Sequence, residues 1–195
     1  MGSTIRFTAT LLRPAEKAAS WTFLRIPKAA SEKLPTRSMT SVDGTINGAT
    51  FQATLDPDGE GSHWLKVEKK LSEAAKAKVG DVVKLEIAPV AVEPEPKVPP
   101  DLKKALAESP TAWATWKDTT AVARRDWIAW ISSGKKAETR PKRIAVAISK
   151  LESGKKRACC FDRSGMYDNS LSCPLAEGEE AVVKVGRKDR KSKVA

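Results

Sequence analysis

Alternating hydrophobic and polar residues between positions 42 and 67 predict three consecutive antiparallel strands. Asn47-Gly48 separates the first two strands. This dipeptide favours a type I′ turn, because both central residues of that turn have a positive φ. Turn-forming residues at positions 56–61 then separate the second strand from the third. The segment is therefore predicted to form a β-meander with which neighbouring strands pair.

Alternation on both sides of the meander predicts three more strands, at residues 4–12, 20–26 and 83–87. Two short helices are predicted at residues 28–34 and 71–78, and Gly80 is expected to cap the second one. Six mostly antiparallel strands with short insertions are typical of a closed or nearly closed barrel, because closure removes exposed sheet edges. Side chains fill a barrel of this size, so a ligand must use its mouth or a groove.

The second half of the chain has helical periodicity. Short helices are predicted at residues 102–108 and from Pro110, and a last helix at residues 141–153. Between them, Asp118-Thr119-Thr120 precedes a longer helix with a single apolar stripe, which consists of Ala123, Trp127, Trp130 and Ile131. A bundle this small is expected to pack on the barrel.

Composition divides the chain into four segments. Five prolines in residues 89–100 are typical of an extended, semi-rigid connection. The expected fold class is α+β, with a six-stranded, mostly antiparallel β-barrel followed by a small helical segment. The expected segments are a barrel domain (1–90), a proline-rich linker (91–100), a helical region (101–154) and an unassigned tail with a basic end (155–195).

The net charge of +11 is unevenly distributed, with a net +2 in residues 1–100 and +9 in residues 101–195. A positive field favours acidic partners such as nucleic acid, although it does not indicate a fold. Three cysteines, two of them adjacent, form a poor disulfide framework. No N-terminal apolar segment and no run of ~18 apolar residues is present, so we expect no transmembrane segment and a cytoplasmic location.

Two groups of motifs resemble bacterial protein families. VDGTING at 42–48, GEGSHWLKV at 59–67 and GDVV at 80–83 resemble an uncharacterised small-barrel family, a domain of unknown function. PDL at 100–102, WI at 130–131, KKAETR at 135–140 and RI at 143–144 are similar to the helical YdeI/OmpD-associated, or bacteriocin-protection, family. The resemblance covers roughly residues 4–153 and implies the fold of both regions. The family name implies, by association, a role in envelope stress or bacteriocin tolerance.

The best candidate site is the basic junction between the last two predicted helices, at residues 135–143. Arg140 and Arg143 can hold a phosphate or carboxylate through paired donors, with Lys135 adding charge. Glu138 or Thr139 can cap the following helix. The alternative, given equal weight, is that these cations pair with barrel carboxylates and dock the two regions.

His63 is the single histidine, and it shares a strand face with Leu65 and Val67. This position is more typical of a structural histidine bonded to a neighbour than of a ligand contact or general base. Trp64, on the opposite face, is included as a candidate ligand contact. One histidine cannot complete the usual catalytic zinc site and the cysteines lack zinc spacing, so we predict no metal and no cofactor.

We interpret the chain as a non-enzymatic binding module for an anionic ligand or partner, with nucleic acid as one such partner. The alternative is an enzyme whose site lies between barrel and helices, with His63 as base and Arg140 as anion clamp. A shared cleft with converging polar groups and a shifted pKa would favour the enzyme. A broad basic face would favour the binding module.

Overall fold

The computed structural model describes residues 3–16, 18–134, 138–158, 161–165 and 171–179. The strands are β1 (Ile5–Thr10), β2 (Thr22–Arg25), β3 (Thr40–Ile46), β4 (Ala49–Pro57), β5 (His63–Val67) and β6 (Val82–Pro89). The helices are α1 (Lys28–Ser31), α2 (Lys69–Ala74), α3 (Pro100–Glu108), α4 (Pro110–Lys117), α5 (Ala121–Ser132) and α6 (Thr139–Glu152).

The six strands form one antiparallel sheet, curled into a half-barrel, in the order β1-β6-β3-β4-β5-β2. The two edge strands approach each other next to an isolated bridge between Leu12 and Phe23. At this bridge the Leu12 N–H donates to the Phe23 carbonyl at 2.7 Å, and the Phe23 N–H donates back at 2.9 Å. The predicted α+β class, a barrel-like sheet of six strands followed by helices, is confirmed.

The turn between β3 and β4 has the geometry that Asn47-Gly48 predicts. Both residues have a positive φ, +48° for Asn47 and +87° for Gly48. Ile46 and Ala49 face each other directly beside the turn. The Lys84 N–H donates to Asn47 Oδ1 at 2.9 Å, so the turn is also bonded to β6.

The end of α2 differs from the prediction. The helix spans Lys69–Ala74, two residues earlier at its start and four residues earlier at its end than expected. Lys76, at φ +51°, adopts the left-handed conformation that Gly80 was expected to provide. The Ala77 N–H donates to the Ser72 carbonyl at 2.9 Å, which closes the helix end in a Schellman motif. The prediction was wrong because a lysine here adopts a conformation that is usual for glycine.

Hydrophobic side chains form two separate clusters. Fully buried residues of the barrel cluster include Val42, Leu55, Leu65 and Val83. The helical cluster contains Leu102, Leu106, Trp127, Ile131 and Leu151, with Trp130 partly buried against it. The predicted stripe on α5 therefore does face the helical core.

Residues 171–179 pack against the barrel. Ala176 forms an isolated bridge with Pro14 near the start of the chain. The Arg25 guanidinium donates to both carboxylate oxygens of Glu179, at 2.8 and 2.6 Å. This contact lowers the pKa of Glu179 to about 2. Part of the unassigned tail thus packs on the barrel, while its basic end, residues 180–195, lies outside the described part of the chain.

Candidate functional site

Arg140 lies at the start of α6 and pairs within the helical region. Its guanidinium donates to the two carboxylate oxygens of Asp101 on α3, at 2.6 and 3.0 Å, and to Ser132 Oγ at 3.1 Å. The ion pair lowers the pKa of Asp101 to about 2. The carboxylate that Arg140 engages thus belongs to α3, whereas the docking alternative expected a barrel carboxylate.

Arg143 connects the start of α6 to the end of α5. Its guanidinium donates to Ser133 Oγ at 2.7 Å and to the Trp130 carbonyl. It also lies over the Trp130 ring, 5.3 Å from the ring centroid. Direct contact of Arg140 or Arg143 with a ligand stays a prediction, and both side chains already have protein partners.

Glu138 and Thr139 contribute less than the sequence suggests. Glu138 occupies the N-cap position of α6, but its side chain makes no capping hydrogen bond. Capping by Glu138 was wrong because its φ of −69° and ψ of −20° are helical, whereas a capping residue normally has an extended backbone. Thr139 is the first residue of the helix. Lys135 lies outside the described residues.

Two arginines that sequence reasoning did not single out join the helices to the proline-rich segment and the barrel. Arg125 on α5 forms an ion pair with Glu93 at 2.5 Å, and Ser41 on β3 donates to the same carboxylate at 2.7 Å. Arg124 donates to both carboxylate oxygens of Glu95, at 2.7 and 2.6 Å. The docking role expected of the junction is thus carried by the Arg124-Arg125 pair.

His63 is a fully buried side chain of the barrel wall. Its Nδ1 lies 2.7 Å from Ser31 Oγ, and its Nε2 lies 3.0 Å from the Ser38 carbonyl oxygen. Burial lowers the pKa of the imidazole, which favours the neutral ring. Among the described residues, His63 bonds to Ser31 and Ser38 and Arg140 bonds to Asp101 and Ser132, so no shared hydrogen-bonding partner links the two parts of the enzyme alternative.

Trp64 lies opposite Asp56 on neighbouring strands, on the face that points away from the barrel core. Trp64 stacks on Trp21, with 6.2 Å between ring centroids. The described residues around Trp64 enclose a cleft of about 280 Å³ between this face and the end of α5, lined by Asp56, Trp64, Ala129, Ser132, Ser133, Leu171 and Ser172. The structure thereby brings Trp64 next to the two serines that Arg140 and Arg143 hold.

A basic pocket of about 610 Å³ lies where residues 161–165 meet the loop after α1. Its lining consists of Thr36, Arg37, Ser38, Phe161, Asp162, Arg163 and Ser164. Arg163 donates to Asp126 on α5 at 2.9 Å. Arg37 is exposed and makes no hydrogen bond or ion pair with any other residue that the structure describes. Sequence reasoning missed this pocket because its two walls lie more than 120 positions apart.

Neither a metal-binding cluster nor a membrane-spanning helix is found in the ranges that the structure describes. No group of three or more His, Cys, Asp or Glu side chains there is placed to hold a metal ion. Across those same ranges, no helix is both long enough and apolar enough to cross a bilayer.

The fold and these sites define a two-region α+β protein, with a barrel-like sheet joined to a helical region. Residues 7–87 match the family model described as a domain of unknown function (DUF1905). Residues 95–154 match the family described as Bacteriocin-protection, YdeI or OmpD-Associated. The two matches follow each other in the order that the motifs predict, so the resemblance is confirmed. No curated protein matches the chain.

Proposed function

We propose that the protein is a non-enzymatic binding module that holds a small organic anion in the basic pocket, in a bacteriocin-tolerance role in the cytoplasm. The observation that carries this proposal is the Arg37 guanidinium, which lines the pocket without a partner among the described residues. The name of the second matched family supports the role, and the net charge of +11 supports an acidic ligand.

The polar groups of the pocket suit a phosphate or carboxylate. A guanidinium presents its donors in a planar fork that matches two oxygens of such a group. Arg163 adds a second guanidinium, of which Nη1 is bonded to Asp126. The hydroxyl groups of Thr36 and Ser38 share one hydrogen bond, 2.7 Å long, so one of their two protons is left to donate to a ligand. Together these side chains can surround one anionic group.

The size of the pocket favours an anion that belongs to a larger molecule. A volume of about 610 Å³ falls within the usual range of small-molecule sites and far exceeds one phosphate group. Phe161 offers a ring against which an organic portion can stack. The ligand class is therefore an organic phosphate or carboxylate with a planar part.

Binding, rather than catalysis, fits the acid–base groups near this pocket. Asp162 is its acidic lining residue, and its Oδ1 accepts hydrogen bonds from the Ser164 N–H at 3.0 Å and the Ser164 hydroxyl at 2.6 Å. A general base must reach the proton it removes, and this carboxylate is engaged with the local backbone. The cleft beside Trp64 has the raised pKa that the enzyme alternative requires, at Asp56, but neither His63 nor Arg140 lines it.

The test is titration calorimetry with phenyl phosphate. We expect Arg37→Gln to weaken binding roughly 10- to 100-fold, because a hydrogen bond to a charged group contributes about 1.5–3 kcal/mol. Arg157→Gln is the matched control, since Arg157 is also exposed and its substitution removes the same charge elsewhere. Equal affinities of the two variants for phenyl phosphate would contradict the proposal.

A second titration, with duplex DNA at increasing salt, separates a pocket ligand from nucleic acid. Nucleic-acid binding weakens with salt by a log–log slope of about −0.9 per phosphate contact. If DNA binds with a steep slope and both arginine variants weaken it alike, the partner is nucleic acid and the small-anion pocket is wrong. Absence of DNA binding, together with a selective Arg37 effect on phenyl phosphate, supports the pocket.

A further inference from the structure

The cleft beside Trp64 is chemically unlike the basic pocket, because a carboxylate and an indole ring line it together. We propose that this cleft is a second binding site, for a small organic ammonium ion that also carries a hydrogen-bond acceptor. The ammonium group pairs with Asp56, and the acceptor receives the hydroxyl proton of Ser132. This assignment is independent of the basic pocket, since the two share no lining residue.

The side chain of Asp56 makes no hydrogen bond or ion pair with any residue that the structure describes. The nearby cations have carboxylates of their own, since Arg125 pairs with Glu93 at 2.5 Å and Lys66 pairs with Glu68 at 2.8 Å. A charge in a poorly solvated place is unfavourable unless it is paired. A cation that enters the cleft supplies the missing pair.

The raised pKa of Asp56 agrees with the lack of an ion-pair partner among the described residues. Burial raises the pKa of Asp56 to about 6, and the lowering effects of Arg125 and Lys66 do not offset it. The carboxyl is thus mostly ionised at neutral pH, and no cation of the described residues forms an ion pair with it. One carboxylate cannot hold a metal ion without further oxygen ligands, so an organic cation is the better match.

Trp64 contributes its ring to the cleft. Its indole Nε1 is shut off from solvent, so the ring, and not the N–H, is the part of Trp64 that a ligand in the cleft can touch. The face of an indole ring attracts a cation. Trp21 stacks against the ring and holds it in place.

The remaining walls limit the size of the ligand. Ala129 and Leu171 are apolar, and the Ser132 hydroxyl, which accepts from Arg140 at 3.1 Å, still has its own proton to donate. The volume of about 280 Å³ is roughly twice that of the ~150 Å³ cavity that holds benzene. A ligand with on the order of ten non-hydrogen atoms fits this space.

Tyramine is a suitable probe, because it joins an ammonium group to a phenol oxygen on a compact frame. We expect the parent protein to bind tyramine. It should bind the uncharged analogue 4-ethylphenol at least about tenfold more weakly, because 4-ethylphenol cannot make the charged hydrogen bond to Asp56. In ¹⁵N-edited spectra of the labelled protein, the Trp64 indole N–H resonance, assigned with Trp64→Phe, should shift on tyramine addition. Equal binding of the two compounds, or an unmoved resonance, overturns the site.

Two carboxylate variants locate the ammonium group. Asp56→Asn should lower the affinity for tyramine about tenfold or more and leave the affinity for phenyl phosphate unchanged. Asp43→Asn is the control, because Asp43 is an exposed barrel carboxylate that accepts from Gln52 at 2.8 Å. Equal tyramine affinities of the two variants overturn the assignment. Tighter binding of Nα-acetyl-lysine amide than of tyramine also overturns it, in favour of a lysine side chain of a partner protein.

The pH profile of the parent protein tests the same site without a substitution. Because only the ionised Asp56 carboxylate attracts an ammonium group, tyramine affinity should fall about tenfold between pH 7.5 and pH 5, given a pKa of about 6. The charged groups that face Asp56 from the neighbouring elements are Arg125 on α5 and Lys66 on β5. A flat profile over this interval overturns the role of Asp56.

Discussion

The barrel and the helical region are stabilised in different ways. Among the described residues, the barrel cluster has fifteen buried members, ten of them on strands whose register is set by backbone hydrogen bonds. The helical cluster has nine, of which two are tryptophans, and its region is also attached through Arg124 and Arg125. A small helical core thus depends on a few large side chains and on charged contacts outside it. Substitutions at such positions should affect the helices more than comparable substitutions affect the barrel.

The largest expected effect comes from Trp127→Ala. Trp127 is fully buried in the helical cluster, and removal of a buried tryptophan side chain typically costs about 3–5 kcal/mol. Trp113→Ala is the control, because Trp113 is 37% exposed and its loss should cost less than about 1 kcal/mol. Urea denaturation followed by far-ultraviolet circular dichroism measures both. Equal midpoints would show that Trp127 does not support the helical region.

Arg125→Met tests the charged attachment. The side chains of Arg125 and Glu93 are only 13% and 15% exposed, so this variant leaves a nearly buried carboxylate unpaired. We expect a loss of about 2–4 kcal/mol in the free energy of unfolding. The double variant Arg125→Met/Glu93→Gln should recover part of it, because no charge is then left alone. Arg124→Met should cost less, since Glu95 is 59% exposed. The reverse order of the two single variants would contradict the docking role of Arg125.

The smallest expected effect is that of Asp56→Asn, which should make the protein more stable although it weakens ligand binding in the cleft. The folded-state pKa of Asp56, about 6, exceeds the unfolded value, so the folded protein binds this proton more tightly. The contribution of Asp56 to stability should therefore fall as pH rises from about 4 to about 6 and stay level above that. Asp56→Asn removes this loss and should stabilise the protein by about 1–3 kcal/mol at pH 8, discounted for partial exposure, but not at pH 3.5. Denaturation midpoints at both pH values, with Asp43→Asn as control, measure the difference; a lower midpoint at pH 8 would contradict it.

Local patterns predicted the elements of the fold well. Alternation located all six strands, and Asn47-Gly48 identified the hairpin turn, because both signals depend on residues close together in the chain. The end of α2 was missed because Lys76 adopts a conformation that propensity assigns to glycine. The pairing of residues 171–179 with the barrel was also missed, since it depends on distant contacts such as Arg25 with Glu179.

The candidate sites were less predictable than the fold. The basic junction was visible as a cluster in the sequence, but the ion pair between Arg140 and Asp101 joins residues 39 positions apart. The sequence predicts Asp56 to belong to a turn, but it lies on β4, directly opposite Trp64 on the neighbouring strand β5. Burial and the lack of a partner among the described residues give Asp56 its chemistry, and its cleft forms only where the end of α5 meets the sheet.

The contact between Arg25 and Glu179 also has a consequence for the order in which the molecule is made. The two residues are 154 positions apart, so the ribosome completes the barrel strands long before it adds residues 171–179. At about 5–20 residues per second, synthesis leaves the nascent barrel without its contact to residues 171–179 for several seconds. During that interval the cleft beside Trp64 lacks the part of its wall that Leu171 and Ser172 form. Arrival of residues 171–179 completes the wall of the cleft.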